Sequence, residues 1–208
     1  MTEAEPIVFI VDDDESVRKA LERLVTSVGL KVETFSSAND FLKHDPYDGP
    51  ACLVLDIRMP GLSGLDLQAE LAKAKRPLSI VFITGHGNIP MSVQAIKAGA
   101  VDFLEKPFDE QALLDAVHLA IQKDRLAKEK LAELREIQER VESLTPRERE
   151  VFALVVTGML NKQIAFELGV SGGTIKVHRA RVMQKMKAES LADLVRLAEK
   201  AGIRDMKD

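Results

Sequence analysis

The sequence predicts an α/β unit, a doubly wound five-stranded parallel sheet, followed by an all-α four-helix unit, the two joined by one long helix. Three observations carry this. Over residues 1–121, short β-branched runs alternate with stretches of helical periodicity, the signature of βα units on a parallel sheet. Residues 110–142 contain neither Gly nor Pro. Charge divides the chain in the same way: residues 1–120 carry a net −8, residues 121–142 balance at six cations and six acids, and residues 143–208 carry a net +4. The expected boundaries are a first domain at 1–121, a helical linker at 122–142 and a second domain at 143–208.

The elements follow in order. Ile7–Val11, Lys31–Phe35, Cys52–Leu55, Ile80–Thr84 and Val101–Leu104 read as strands. Val17, Leu21, Leu24, Val25 and Val28 recur at helical spacing, and Gly29 supplies a stop. Further helices are expected over Ser37–Leu42, Gly64–Ala74, Ile89–Ala98 and from Glu110 onward. The last of these runs through the gap-free stretch to about Glu142. Its spacings of three and four from Leu131 to Leu144 fit a coiled-coil seam of about two heptads, or a solvated helix that packs a few leucines on its own domain. Thr145-Pro146-Arg147-Glu148 is a helix start, with Thr as cap, Pro in the first turn and Glu at the third position. Asn161–Leu168, Thr174–Met186 and Ser190–Ala201 read as three more helices, with a turn at Gly169–Gly173.

Composition bounds the function. With 208 residues, 46% hydrophobic and 30% charged, the chain is globular rather than disordered. No run approaches the roughly 18 apolar residues of a membrane span, and the first ten residues hold acids but no cation, against a secretory signal. Cys52 is the only cysteine, which excludes an internal disulfide and a cysteine-rich zinc site and points to a reducing cytosol.

Acidic and basic residues then cluster where chemistry is expected. Asp12, Asp13 and Asp14 follow strand one, Asp56 ends strand three, Thr84 ends strand four and Lys106 lies past strand five. In a parallel sheet all of these meet at one mouth, where ligands bind. Clustered carboxylates need a cation or a raised pKa to coexist. Mg2+ suits two or three carboxylates completed by water and phosphate oxygens. Aspartate is also a competent nucleophile toward phosphorus, and a lysine and a hydroxyl would anchor the added group. In the second domain, a short helix carrying Asn161-Lys162-Gln163-Ile164-Ala165, a tight turn and a basic helix fit a helix-turn-helix. That basic helix carries Lys176, His178, Arg179, Arg181, Lys185 and Lys187. Arg181 and Lys185 are expected at phosphate and Lys176 at base edges.

Residues 7–121 resemble the receiver domain of two-component response regulators. The matching runs are Val11-Asp12-Asp13-Asp14, Asp56-Ile57-Arg58-Met59-Pro60-Gly61, Ile83-Thr84-Gly85-His86-Gly87 and Phe103-Leu104-Glu105-Lys106-Pro107-Phe108. The resemblance implies a flavodoxin-like fold with Asp56 as phospho-acceptor. It implies Mg2+ held by Asp12, Asp13, Asp56 and the backbone carbonyl of Arg58. It further implies Thr84 as switch hydroxyl, Phe103 as switch aromatic, Lys106 as the cation at the phosphate, and a cis Lys106–Pro107 bond. Asp14 reads as a helix cap first and a water-mediated metal contact second. Residues 143–206 resemble the LuxR-type output domain through Leu144–Val151, Asn161–Ala165 and Val170–Arg179. By that resemblance Lys176, Val177 and Ala180 face the major groove, and Thr174, His178 and Arg181 lie near phosphates or flanking bases. Ala180 departs from the polar or basic residue common there, and the base read at that step is open.

Together the two resemblances point to the FixJ/NarL class, nearer its FixJ branch. They imply a cytoplasmic transcriptional activator rather than an enzyme. Its expected partners are a sensor histidine kinase, a second copy on phosphorylation, double-stranded promoter DNA and RNA polymerase, with no membrane role. Three alternatives stand beside this reading. A regulator of the same architecture could bind DNA without phosphorylation, but it would not need Asp56, Thr84 and Lys106 together. A haloacid-dehalogenase-like phosphatase would need an acid where Arg58 stands. A protein-binding module leaves the +4 end unexplained.

Overall fold

The computed structural model describes residues 4–85 and 89–203. His86 and Gly87 of the expected switch motif lie outside them. The chain divides into two compact units, within Met1–Lys128 and Glu129–Asp208.

The first unit is a five-stranded parallel sheet in the order β2-β1-β3-β4-β5. The strands are β1 (Ile7–Val11), β2 (Lys31–Phe35), β3 (Ala51–Asp56), β4 (Ser79–Thr84) and β5 (Asp102–Glu105). Between them lie α1 (Glu15–Ser27), α2 (Ala38–Lys43), α3 (Gly64–Lys73) and α4 (Ile89–Lys97), and α5 (Glu110–Glu142) follows. Strand residues alternate between two cores, as the two-residue period demands. Phe9, Val11, Leu53, Leu55 and Phe82 face one side with Phe41 of α2, Leu67 of α3 and Ala95 of α4. Val8, Ile10, Val54, Val81 and Ile83 face the other with Leu21 and Val25 of α1 and Leu113 and Val117 of α5. The central strands are covered on both faces, which explains their unbroken hydrophobic runs. β2 lies at an edge, and Lys31, Glu33 and Thr34 are exposed there.

The second unit holds the end of α5 with α6 (Pro146–Val156), α7 (Asn161–Glu167), α8 (Gly172–Met186) and α9 (Leu191–Lys200). Its core joins Val151, Phe152, Ile164, Ile175, Val182, Met186 and Leu194. The leucine-type stripe of α5 is divided. Ile137 and Val141 are buried in this core, whereas Leu126 and Leu131 are exposed. α8 begins two residues earlier than its expected start at Thr174. Ser171 caps it by accepting from the Thr174 N–H, and that draws Gly172 and Gly173 into the first turn.

Candidate functional site

The sheet order places the acidic residues. β1 pairs with β3 so that Val11 faces Leu55, which sets Asp12, just past β1, beside Asp56, the last residue of β3. Thr84 faces Glu105 across β4 and β5, and the next residue, Lys106, donates its N–H to the Thr84 carbonyl at 2.8 Å. From there the Lys106 Nζ donates to Asp12 Oδ2 at 2.6 Å and to Asp56 Oδ1 at 3.0 Å. Asp12 Oδ1 accepts from the Asp14 N–H at 2.9 Å, and Asp56 Oδ2 accepts from the Arg58 N–H at 2.7 Å. Both carboxylates are buried, at 1% and 5% exposure.

Burial pushes the Asp56 carboxyl above the usual aspartate range; the Lys106 hydrogen bond and charge oppose the rise, and the Asp12 charge adds to it. Burial also works against the Lys106 ammonium, yet its hydrogen bonds to Asp12 and Asp56 leave that pKa raised. A lysine therefore holds two carboxylates that would otherwise repel each other.

Not every acid joins this group. Asp13 is exposed, and Asp14 caps α1, accepting from the N–H groups of Ser16 and Val17. Among the described residues no three acid, His or Cys side chains converge on one point. Mg2+ needs no such cage, because it binds through one or two carboxylates and keeps water and phosphate oxygens for the rest. The donors at this mouth are all hard oxygens, and its acids outnumber the lysine, so the residues fit that ion.

Thr84 is fully buried at the end of β4. Phe103 faces Phe82 across the strand pair and packs, half-buried, on the same core as Met91 of α4. The Lys106–Pro107 bond is cis. Outward from these, Ile89, Val93 and Ile96 line one face of α4 and are exposed, Ile89 at 79%.

Two residues that patterning did not single out complete the pocket. A Cβ on Gly64 would lie 2.3 Å from the Asp56 carbonyl oxygen, so only glycine lets the start of α3 approach that strand end. The glycine after Ser63 was visible in the sequence, but its contact was not. Arg18 Nη1 donates to the Asp12 carbonyl at 2.6 Å.

On the second unit, Thr174, Lys176, Val177, Ala180 and Arg181 share exposure along α8, while Ile175, Val182 and Met186 are buried. His178 Nδ1 is buried without a partner, leaving Nε2 as its remaining polar atom. Arg179 Nη1 donates to Asn161 Oδ1 at 3.1 Å and ties α8 to α7. Two of the three N–H groups of Lys185 are engaged inside the unit, one to Glu148 Oε2 at 2.7 Å and one to the Ser143 carbonyl at 2.9 Å. Arg147 and Arg149 likewise donate to the carbonyls of Leu168 and Val141. Part of the +4 charge of this region therefore holds its own helix ends together.

Known proteins share both halves. Residues 8–118 match the response regulator receiver domain, and residues 142–198 match the luxR family of bacterial regulatory proteins. The chain is a two-component response regulator. Nodulation protein W of Bradyrhizobium diazoefficiens is 52% identical to it over 197 residues, covering 95% of this chain and 87% of that protein. The response regulator protein TmoT of Ectopseudomonas mendocina is 48% identical, covering 96% and 91%. The solved structure of response regulator StyR matches with a TM-score of 0.88 at 50% identity, covering 95% of the regulator and all of that chain. Full-length FixJ from B. japonicum matches at 43% identity with a TM-score of 0.57, covering 97% and 99%. The regulator is thus a transcription regulator built from a receiver domain and a LuxR-type DNA-binding domain, and no described helix is long and apolar enough to cross a membrane.

Proposed function

We propose that the regulator accepts a phosphoryl group on Asp56 from a sensor histidine kinase, dimerises, and activates transcription from promoter DNA in the cytoplasm. The observation that carries this is the Lys106 bridge between Asp12 and Asp56 in a buried pocket. An Asp56 oxygen attacks phosphorus, the P–N bond to the donor histidine breaks, and the electron pair leaves on the imidazole nitrogen. Lys106 shifts from the ion pair to the phosphoryl oxygens, giving the charge that arrives a partner already in place. Asp12, Asp13, Asp56 and the Arg58 carbonyl would hold Mg2+, which when bound neutralises charge on the group transferred. The Thr84 hydroxyl then turns toward the phosphoryl oxygens, and Phe103, packed on the same core as Met91 of α4, changes its packing.

The exposed Ile89, Val93 and Ile96 support dimerisation through α4, β5 and α5. In the second domain Lys176, Val177 and Ala180 enter the major groove, with Thr174, His178 and Arg181 at phosphates or flanking bases. We assign Lys185 first to holding Glu148, since two of its donors are already engaged. RNA polymerase is the partner of the DNA-bound dimer.

Labelling by a phosphohistidine donor or a small phosphodonor tests the pocket. It should require Mg2+ and vanish in Asp56→Asn. Labelling that survives this substitution would move the acceptor elsewhere. Promoter binding that is equally tight in Asp56→Asn and in the phosphorylated protein would favour phosphorylation-independent action instead.

A further inference from the structure

We infer that Arg18 is a positioning residue for the cation site, holding the Asp12–Asp13 peptide in the orientation from which both side chains serve one ion. The inference rests on the reading of the acidic mouth as a Mg2+-dependent phosphoryl-acceptor site. The regular hydrogen bonding has a gap at this turn. β1 ends at Val11 and α1 starts at Glu15, so the peptide between Asp12 and Asp13 belongs to neither element. Asp12 is nevertheless held at every polar atom. Its N–H donates to the Phe35 carbonyl at 3.3 Å, Oδ1 accepts from Asp14 N and Oδ2 from Lys106 Nζ. The fourth contact is Arg18 Nη1, which donates to the Asp12 carbonyl oxygen at 2.6 Å.

That oxygen lies in the same rigid plane as the amide of Asp13. Fixing it fixes the direction in which the chain leaves toward Asp13, the exposed acid of the pair. A guanidinium is suited to the task. It stays charged at any working pH, it makes short charge-assisted bonds, and its planar fork loses less freedom than an ammonium stem. It also brings a positive charge close to a site meant for a cation, so as a bare charge Arg18 would oppose binding. Its two effects on the ion therefore have opposite signs, and that makes the role measurable.

The test is a calorimetric titration of the full chain with MgCl2, without phosphodonor. If Arg18 positions the peptide, Arg18→Ala should raise the Mg2+ Kd about 10-fold or more, the range found when outer residues that orient metal ligands are removed. Arg18→Lys, which keeps the charge and a donor, should restore part of the loss. Phosphorylation of Arg18→Ala should be slow at limiting Mg2+ and approach the wild-type rate at saturating Mg2+. Unchanged or tighter Mg2+ binding in a folded Arg18→Ala protein would overturn the proposal, because a merely structural or electrostatic role predicts those results. If Arg18→Ala melts below the assay temperature, Arg18→Met, which keeps the apolar stem but has neither charge nor N–H donor, carries the same comparison. Wild-type protein that binds no Mg2+, or that takes label without it, would overturn the pocket reading itself. Normal wild-type binding with an insensitive Arg18 variant would overturn only the role of Arg18.

Discussion

Asp124 accepts a hydrogen bond from the backbone N–H of Ala51 at 2.8 Å. Asp124 lies on α5 beyond the expected end of the first domain, and Ala51 opens β3, the strand that ends in Asp56. The same carboxylate pairs with Lys128 at 2.9 Å, and Lys128 Nζ donates to the carbonyls of Tyr47 and Gly49. The start of the linker helix is thus fastened to the foot of the sheet, which explains why the first compact unit extends to Lys128. Asp124→Ala would leave a buried N–H without an acceptor and Lys128 without its counter-ion. We expect a loss of about 2–4 kcal/mol, and a smaller one for Asp124→Asn, which keeps an acceptor. Tyr47 is the one tyrosine in a chain without tryptophan, so its fluorescence during urea unfolding reports this domain alone.

Glu148 and Lys185 set the acid limit of the second domain. The Lys185 hydrogen bond, with a second from the Thr145 N–H, holds the Glu148 carboxyl down at about 2. Because this folded value lies below the ordinary carboxylate value of 4.5, the stabilisation is complete above about pH 4.5 and is lost as pH falls toward 2. NMR signals of α6 and α8 should therefore report loosening across that window. Glu148→Gln should shrink the pH dependence while keeping an acceptor for Thr145. Glu148→Ala should cost about 1.5–3 kcal/mol at neutral pH.

Asp56 has the opposite sign. Its carboxyl is raised in the folded protein, so ionised Asp56 opposes folding at neutral pH. In magnesium-free buffer Asp56→Asn should raise Tm, with Lys106 retained by Asp12. A lower Tm would mean that the Lys106 bridge outweighs burial and repulsion.

For dimerisation, Val93→Arg on the exposed face of α4 should leave Asp56 labelling intact. It should also prevent the increase in mass expected with a phosphoryl mimic, as measured by sedimentation. An unchanged dimer would place the contact elsewhere.

For DNA, Lys176→Ala should relax preference at one base pair per half-site, a discrimination of about 1–3 kcal/mol. Arg181→Ala should weaken all sequences alike and lower the salt slope by roughly one. Half-sites about 10 base pairs apart should bind best. Titration against a randomised operator at two salt concentrations separates these effects. Uniform loss in both variants would remove Lys176 from the groove.

The sequence by itself determined the order of elements and which side chains gather at the strand ends. Short β-branched runs between stretches of period 3.6 mark strands and helices, and the ends of parallel strands meet at one edge whatever the details of packing. Asp12, Asp56, Thr84 and Lys106 were legible for that reason, as were the caps at Asp14 and Thr145, which depend on neighbours two or three residues away. Only the tertiary structure decided what lies across long separations. Lys185 meets Glu148 from 37 residues away, Asp124 meets Ala51 from 73, and Gly64 presses its backbone against the Asp56 carbonyl. Periodicity shows which face of a helix is buried, but not which polar atom of another element that face will meet. That choice is made when helices settle on the sheet and on one another, where a buried donor or acceptor must find a partner or cost the fold its desolvation.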